Sequence, residues 1–150
     1  MSINVLFADD DSEGTLEPLA RILRSRQVAN VRTAVTFSGA LEILERTKRG
    51  ASTRIDSMLV DIILPFDRDG RGTLMSELGV KLADKAANLE VRTIAFLTVV
   101  RQDEVADRYS ELVNRYRGHV TFDYFDKTEL LAPGILESLL NFVAPAPRKG

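Results

Sequence analysis

Three aspartates in this sequence have the residue type and spacing that metal and phosphate chemistry needs. Asp9 and Asp10 follow the apolar segment 4–8, and Asp61 follows the apolar run that starts at Ile55. Carboxylates that lie close together repel each other unless a cation neutralises them. Because oxygen ligands alone favour a hard ion, these residues predict a site for Mg2+, with Mn2+ as the alternative.

A threonine and a lysine follow two further apolar segments. Thr98 comes directly after 94–97, and Lys127 lies just past 120–125. An amine and a hydroxyl opposite the carboxylates would complete a pocket for a phosphoryl group, and a carboxylate in that pocket can itself be the nucleophile. Each residue alone has a plainer explanation, such as a solvated lysine or acids that favour a helix N-terminus through its dipole. All five together favour the chemical site.

Five strands alternating with five helices must bring these residues together. Short apolar runs predict strands over 4–8, 28–35, 55–61, 91–97 and 120–125. The segments between them have helical spacing of apolar residues, so the chain predicts an α/β fold, a (βα)5 doubly wound parallel sheet in the flavodoxin-like order 2-1-3-4-5. Strands one and three then flank the switch point. The three aspartates converge there, and the threonine and the lysine end neighbouring strands on the same rim.

Prolines, a serine and a glycine indicate where the helices begin or end. Pro18 is tolerated only in a first turn, so the first helix should start near Thr15 or kink. Ser38 can cap the second helix, which Gly50 should end. Pro133 fits the first turn of the last helix.

Composition excludes several classes of protein. The 150 residues contain 20 Lys and Arg against 22 Asp and Glu, and no cysteine. No basic excess indicates a nucleic-acid partner, and no apolar stretch approaches the ~20 residues of a membrane span. The lack of disulfides suits a cytoplasmic protein. We predict one domain over 1–143, followed by a short flexible C-terminal tail over 144–150.

Four sequence blocks resemble the response-regulator receiver domain of two-component signalling. They begin at Val5, Leu59, Ile94 and Tyr124, and their sequences are VLFADDD, LVDIILP, IAFLT and YFDK. Each block is unspecific alone, but the four occur in the order and at the spacing of that family. The resemblance covers residues 4–143, which is nearly the whole chain.

The resemblance implies how the phosphoryl group would be handled. Asp61 would be the phosphoacceptor, and Thr98 and Lys127 would bind the phosphoryl oxygens. Tyr124 would be the aromatic switch on the fifth strand. Such a protein receives a phosphoryl group and slowly hydrolyses its own aspartyl phosphate, so it is not a turnover enzyme.

The resemblance also implies the ligands of the metal. Asp10 would bind Mg2+ directly, and Asp9 mainly through water. Asp61 itself and the backbone carbonyl of Ile63 would complete the protein's contribution.

Partners are implied by the same resemblance. A sensor histidine kinase or a phosphotransfer protein would supply the phosphoryl group, and a downstream protein or a second copy of this chain would respond. No nucleic acid or membrane is expected. No output domain follows in the sequence, so we expect a stand-alone receiver.

The responding surface would be formed by the fourth helix, the fifth strand and the fifth helix. These elements are predicted over 103–117, 120–125 and 133–143. Tyr109 and Tyr116 should face the core. Four arginines, at positions 101, 108, 115 and 117, would expose positive charge there, so a partner with acidic groups is expected.

Three departures from the receiver pattern keep other functions open. Val99 stands where a small residue is common and could narrow access to the acceptor, Thr128 stands where proline is common, and the loop Pro65–Leu78 is long. The first alternative is a pseudo-receiver that binds partners without being phosphorylated. The second is a phosphatase with an aspartyl nucleophile, although its general acid would stand at Ile63. A flavodoxin is less favoured because its phosphate loop would be uncharged.

Overall fold

The computed structural model describes residues 3–26, 29–48, 54–67 and 78–145, which form five parallel strands and five α-helices. The strands are β1 (Ile3–Ala8), β2 (Ala29–Ala34), β3 (Ser57–Val60), β4 (Thr93–Thr98) and β5 (Thr121–Asp126). The helices are α1 (Glu17–Ser25), α2 (Phe37–Lys48), α3 (Leu78–Asn88), α4 (Ala106–Arg115) and α5 (Ile135–Val143). The sheet order is β2-β1-β3-β4-β5, so the predicted fold and strand order are confirmed.

The core lies on both faces of this sheet because the central strands alternate their side chains between two layers. Leu6 and Met58 face a layer formed with α2, α3 and α4, while Val5 and Leu59 face a layer formed with α1 and α5. Strands β1, β3 and β4 are buried almost throughout, as the uninterrupted apolar runs predict for a parallel sheet. The buried strands therefore hold in place the polar residues at their carboxyl ends.

Asp11 shapes the connection from β1 to α1. Its carboxylate accepts hydrogen bonds from the Gly14 N–H (3.2 Å) and the Thr15 hydroxyl (2.9 Å), and its carbonyl accepts from the Leu16 N–H (3.0 Å). This wide turn precedes α1, so Pro18 lies in the first turn of the helix, as predicted. The helix itself begins at Glu17, slightly later than Thr15, because the turn uses the residues before it.

Two predicted helix starts are wrong. Thr36, not Ser38, caps α2, since the Thr36 hydroxyl accepts a hydrogen bond from the Gly39 N–H at 3.0 Å. Pro133 precedes α5 instead of lying in its first turn. It forms a turn with Gly134, which has a φ of 83° and leaves the Ile135 N–H to donate to the Ala132 carbonyl at 3.2 Å. A proline followed by a glycine with positive φ is typical of a type II turn.

The first part of the loop after β3 is fixed to α2. The Phe37 N–H donates to the Pro65 carbonyl (2.8 Å), and the Ser38 N–H donates to the Phe66 carbonyl (2.9 Å). The rings of Phe37 and Phe66 stack with centroids 5.7 Å apart. These bonds supply acceptors for N–H groups that a helix N-terminus leaves unsatisfied. The carbonyls of Pro65 and Phe66 therefore hold the start of the loop against the N-terminus of α2.

Several predicted features lie outside the described residues. They are Val28 at the start of the second strand, Gly50, positions 68–77 of the long loop, and 146–150 of the tail. Ala144, the first residue of the predicted tail, is buried, and its N–H donates to the Leu140 carbonyl at 2.9 Å. Among the described residues, no helix is both long and apolar enough to span a bilayer.

Glu90 adopts a left-handed conformation at the end of α3, with a φ of 70°. Its N–H donates to the Ala87 carbonyl (3.0 Å), and the Val91 N–H donates to the Ala86 carbonyl (3.0 Å). This pair of bonds is the Schellman arrangement, in which glycine is usual at the left-handed position. We expect Glu90→Gly to raise the free energy of unfolding by roughly 0.5–1 kcal/mol, because the steric cost at that position is removed.

Chemical denaturation would measure this change, with Glu90→Ala as the control. Glu90 also pairs with Arg54 at 3.2 Å, but both side chains are at least half exposed, so that ion pair contributes little. The alanine variant loses the pair without relieving the backbone, and it should not be stabilised. A glycine variant less stable than the alanine variant would contradict the argument.

Candidate functional site

The carboxyl ends of β1, β3, β4 and β5 bring the predicted residues to one edge of the sheet. The Asp9 N–H continues the ladder by donating to the Ala34 carbonyl (3.0 Å), and the Asp61 N–H donates to the Ala8 carbonyl (3.0 Å). Both aspartates are buried, with exposed fractions of 0% and 5%. The position of the two carboxylates therefore follows directly from strand pairing.

Lys127 joins the two buried carboxylates. Its Nζ donates to Asp61 Oδ2 at 2.7 Å and lies 2.7 Å from Asp9 Oδ2. The contact with Asp9 is an ion pair, and Asp9 Oδ2 accepts no hydrogen bond from the described residues. The other oxygens accept from the backbone, Asp9 Oδ1 from the Asp11 N–H (2.8 Å) and Asp61 Oδ1 from the Ile63 N–H (3.1 Å).

Burial dominates the pKa shift of Asp9, whereas neighbouring charges determine the direction of the shift of Lys127. Burial raises the pKa of Asp9 to about 6, although the ion pair with Lys127 and the hydrogen bond from the Asp11 N–H oppose this rise. Burial alone would lower the pKa of Lys127, but its interactions with Asp61 and Asp9 outweigh burial and raise it. The site therefore holds negative charge that one ammonium only partly compensates.

The donor set fits a hard divalent cation. Asp9, Asp10 and Asp61 each offer a carboxylate oxygen, and these oxygens lie within 4.8 Å of one another. Asp10 is exposed, so one ligand faces solvent while the other two are buried. The Asp9 oxygen without a hydrogen-bond donor is a further acceptor that a cation would satisfy.

Thr98 lies at the end of β4, fully buried, and is linked to the following loop. Its hydroxyl oxygen accepts a hydrogen bond from the Val100 N–H at 3.2 Å. The Val100 carbonyl in turn accepts from the Tyr124 hydroxyl at 2.5 Å. A chain of two hydrogen bonds therefore connects the buried threonine of the site with the aromatic residue of β5.

Tyr124 is half-buried and turned inward. Its ring lies 5.9 Å from that of Phe96 and 5.7 Å from that of Tyr109. Burial raises the pKa of Tyr124, and the charges of Glu104, Asp126 and Asp61 add to this rise. The hydroxyl is therefore a neutral donor at physiological pH.

Gly79 is a site residue that the sequence analysis missed. Its N–H donates to the Ile62 carbonyl at 2.9 Å, and a Cβ at this position would lie 2.0 Å from the Asp61 carbonyl oxygen. The first turn of α3 thus packs directly on the backbone that presents Asp61. A glycine at the start of a helix that follows a strand was the available signal, because glycine often marks a close approach of two backbones.

Three apolar side chains are exposed around this edge. Ile63, Phe66 and Val99 have exposed fractions of 44%, 45% and 55%. Val99 follows Thr98 directly, at the position predicted to influence access to Asp61. The Lys127–Thr128 peptide bond is trans, as expected without a proline.

The predicted responding surface is less basic than the arginine count indicates. Arg101 pairs with Asp103 (2.7 Å), and Arg115 pairs with Asp84 (2.9 Å). The Arg117 guanidinium donates to the Asn114 side chain at 2.6 Å. All four arginines therefore have interactions within the chain. Tyr109 and Tyr116 are half-buried against the core, as predicted.

Comparisons with known proteins concern the fold of this chain. No protein-family model and no curated protein matches the sequence. Solved structures do match. The phosphorylated cyanobacterial phytochrome response regulator RcpA is 13% identical, with all of both chains covered and a TM-score of 0.66. A two-component response regulator from Clostridium difficile is 19% identical, with 95% of each chain covered and a TM-score of 0.63.

A third match is the BeF3-activated N-terminal receiver domain of RstA from Klebsiella pneumoniae. It is 21% identical, with 95% of this chain and 99% of that chain covered and a TM-score of 0.61. At these identities the similarity concerns the fold, which extends over nearly the full length of each protein. The chain therefore has the fold of response-regulator receiver domains, as the four sequence blocks predict.

Proposed function

We propose that this chain is a receiver that accepts a phosphoryl group on Asp61 in a Mg2+-dependent phosphorelay. One observation supports it above all: Lys127 Nζ lies 2.7 Å from both Asp61 Oδ2 and Asp9 Oδ2. A lysine in this position can neutralise a phosphoryl oxygen at the acceptor carboxylate. A sensor histidine kinase or a phosphotransfer protein would supply the group.

The transfer uses side chains of this chain in distinct roles. An Asp61 carboxylate oxygen forms the bond to phosphorus while the bond from phosphorus to the donor's leaving atom breaks, and the donor keeps that electron pair. Lys127 moves from the carboxylate towards a phosphoryl oxygen. The Thr98 hydroxyl oxygen accepts a hydrogen bond from the Val100 N–H. Its own O–H remains available to donate a hydrogen bond to a second phosphoryl oxygen.

Mg2+, held by the carboxylates of Asp9, Asp10 and Asp61 and the Ile63 carbonyl, would supply further positive charge for the phosphoryl oxygens. Mn2+ offers the same coordination preferences. The protein's own part is to hold the Asp9 and Asp61 carboxylates close together, which strand pairing and the two contacts of Lys127 support.

A small phosphodonor with Mg2+ should add one phosphoryl group to the protein, and Asp61→Asn should abolish the adduct because the nucleophilic oxygen is lost. Intact-mass spectrometry measures both. If Val99 restricts access, Val99→Ala should label faster than the natural protein. The absence of an adduct even in Val99→Ala would favour the pseudo-receiver, which keeps the fold and a partner surface without covalent chemistry.

We further propose that the signal leaves through α4, β5 and α5. A phosphoryl group brings roughly −1.5 to −2 charge and three acceptor oxygens, which attract the Thr98 hydroxyl. Movement of Thr98 would disturb its bond with Val100 and, through the Val100 carbonyl, the position of Tyr124. A downstream protein or a second copy of this chain would bind the altered surface. Because the arginines interact within the chain, an acidic partner would have to replace those interactions.

Amide exchange with and without beryllofluoride tests this path. We expect the largest changes in 101–117, in β5 and in the Pro65–Leu78 loop, because these segments contact the Thr98–Val100–Tyr124 connection or follow Asp61. The fraction that responds need not be complete without a partner, since such switches are two-state equilibria. Changes confined to α1 and α2 would contradict the proposed path and would indicate a partner on the opposite side.

A further inference from the structure

Asp126 and Thr128 form a closed turn around Lys127. Asp126 Oδ1 accepts a hydrogen bond from the Thr128 N–H (2.8 Å) and another from the Thr128 hydroxyl (2.7 Å). Asp126 has extended dihedrals (φ −87°, ψ 122°), and the tight helical turn Lys127–Glu129 follows it directly. The carboxylate of residue 126 therefore caps the turn in which Lys127 is the first residue.

This turn determines where the Lys127 side chain can go. A lysine stem has four rotatable bonds, so an amine reaches one place reliably only if the backbone aims it there. Here the Nζ reaches two carboxylates at 2.7 Å each. Asp126, the residue before it, is extended, and the Asp126 carboxylate holds Thr128, the residue after it. The Lys127 backbone therefore has little freedom.

The turn makes no contribution to the core. Thr128 and Glu129 are exposed, and within the described residues the Thr128 side chain bonds only to Asp126. None of the carboxylates that would hold the metal contacts Asp126 or Thr128. A change in this turn can therefore alter the aim of the lysine while the buried strands and the metal ligands stay in place.

We propose that Asp126 and Thr128 are positioning residues for Lys127, taking the place of the rigid peptide that a proline at 128 would provide. The inference rests on the proposed function for its catalytic meaning, because the aimed amine is the group that would bind a phosphoryl oxygen. The positioning itself is a property of the unmodified protein and can be measured without any phosphoryl chemistry.

The reactivity of the Lys127 amine reports how often it leaves its two carboxylate partners. Brief acetylation with acetic anhydride, followed by peptide mass spectrometry, gives the rate at Lys127 relative to the exposed Lys81 and Lys85. We expect Asp126→Ala to raise this ratio roughly tenfold, because the amine leaves its carboxylate partners more often when the cap is lost. Thr128→Val removes one of the two bonds and should give a smaller rise.

Three control variants distinguish the loss of the capping hydrogen bonds from the loss of charge and from a general loosening of the turn. Asp126→Asn keeps the acceptor oxygen without the charge, and Thr128→Ser keeps the hydroxyl, so both should react as the natural protein does. Glu129→Ala removes a charge from the same turn without touching the cap and should also be unchanged. An Asp126→Ala ratio equal to that of the natural protein would overturn the proposal, as would an equal rise in Asp126→Asn.

Beryllofluoride binding at saturating Mg2+ then tests the catalytic consequence. Asp126→Ala should bind it roughly tenfold more weakly, while Mg2+ affinity alone, measured by calorimetry, should not fall, because no ligand is altered and the loosened ammonium competes less for the oxygens of Asp9 and Asp61. A fall in both affinities together would indicate a general structural role and would contradict positioning. If the natural protein binds no beryllofluoride while Lys127 reactivity responds as expected, the proposed function fails and the positioning stands.

Discussion

Replacing Gly79 by alanine should destabilise this protein more than any other single methyl group added to a described glycine. The added Cβ would lie 2.0 Å from the Asp61 carbonyl oxygen, 2.5 Å from the Ile62 Cα and 2.7 Å from the Asp61 carbonyl carbon. All three are backbone atoms of a buried strand end, so none can turn away as a side chain would. Overpacking costs about 1–3 kcal/mol where side chains can adjust, and we expect a loss of at least about 3 kcal/mol here.

Chemical denaturation followed by circular dichroism measures this loss, and Gly39→Ala is the matched control. In α2 the nearest atom to an added Cβ is the Thr36 hydroxyl oxygen at 3.0 Å, which belongs to a side chain that can shift. Alanine also favours helix over glycine by about 1 kcal/mol, so the net change at Gly39 should be small. A Gly79 variant as stable as the Gly39 variant would contradict the close packing of α3 on the backbone at Asp61.

Lys127→Met should destabilise the ion-free protein by roughly 3 kcal/mol, because the substitution leaves Asp9 and Asp61 buried without a counter-ion. Asp9 is fully buried and Asp61 nearly so, and Lys127 Nζ is 2.7 Å from an oxygen of each. Methionine keeps most of the apolar stem, so the loss reports the charge. Denaturation in the presence of a chelator measures it.

Mg2+ should restore stability to the Lys127→Met variant, and by more than it stabilises the natural protein. A ligand that binds only the folded state stabilises it in proportion to the logarithm of its concentration over Kd, and the variant has no ammonium to compete for the same oxygens. Asp10→Asn is the control, since Asp10 is exposed and forms no ion pair with Lys127. It should leave ion-free stability nearly unchanged and weaken the Mg2+ effect. Equal Mg2+ stabilisation of all three proteins would refute the metal site.

The fold and the group of site residues could be predicted because both depend on patterns of apolar and polar residues that are visible in the sequence. Buried parallel strands are continuous apolar runs, and a polar residue that ends such a run must lie at the carboxyl edge of the sheet. Asp9, Asp61, Thr98 and Lys127 satisfy this condition. Ion pairs join the lysine to both aspartates, and Thr98 ends the strand next to β3. The receiver resemblance uses the same residues, so the two arguments agree.

The errors concern choices between neighbouring residues of similar chemistry. Thr36 and Ser38 both offer a hydroxyl that could cap α2, and only the length of the β2–α2 connection decides between them. Pro133 satisfies a helix start as well as a turn, and the positive φ of Gly134 decides for the turn. Contacts such as Gly79 on Asp61 join residues eighteen positions apart, which no local pattern reveals.

The loop after Asp61 is attached at both ends by bonds that do not depend on the segment between them. The Pro65 and Phe66 carbonyls are held by the start of α2, and the Gly79 N–H is held by Ile62. The free energy of closing a loop between fixed ends grows slowly, by about 0.6 kcal/mol for each doubling of length. Insertions or deletions between these anchors would therefore leave the strand that ends at Asp61 in place. The length of this segment can vary during evolution at little cost to the position of that aspartate.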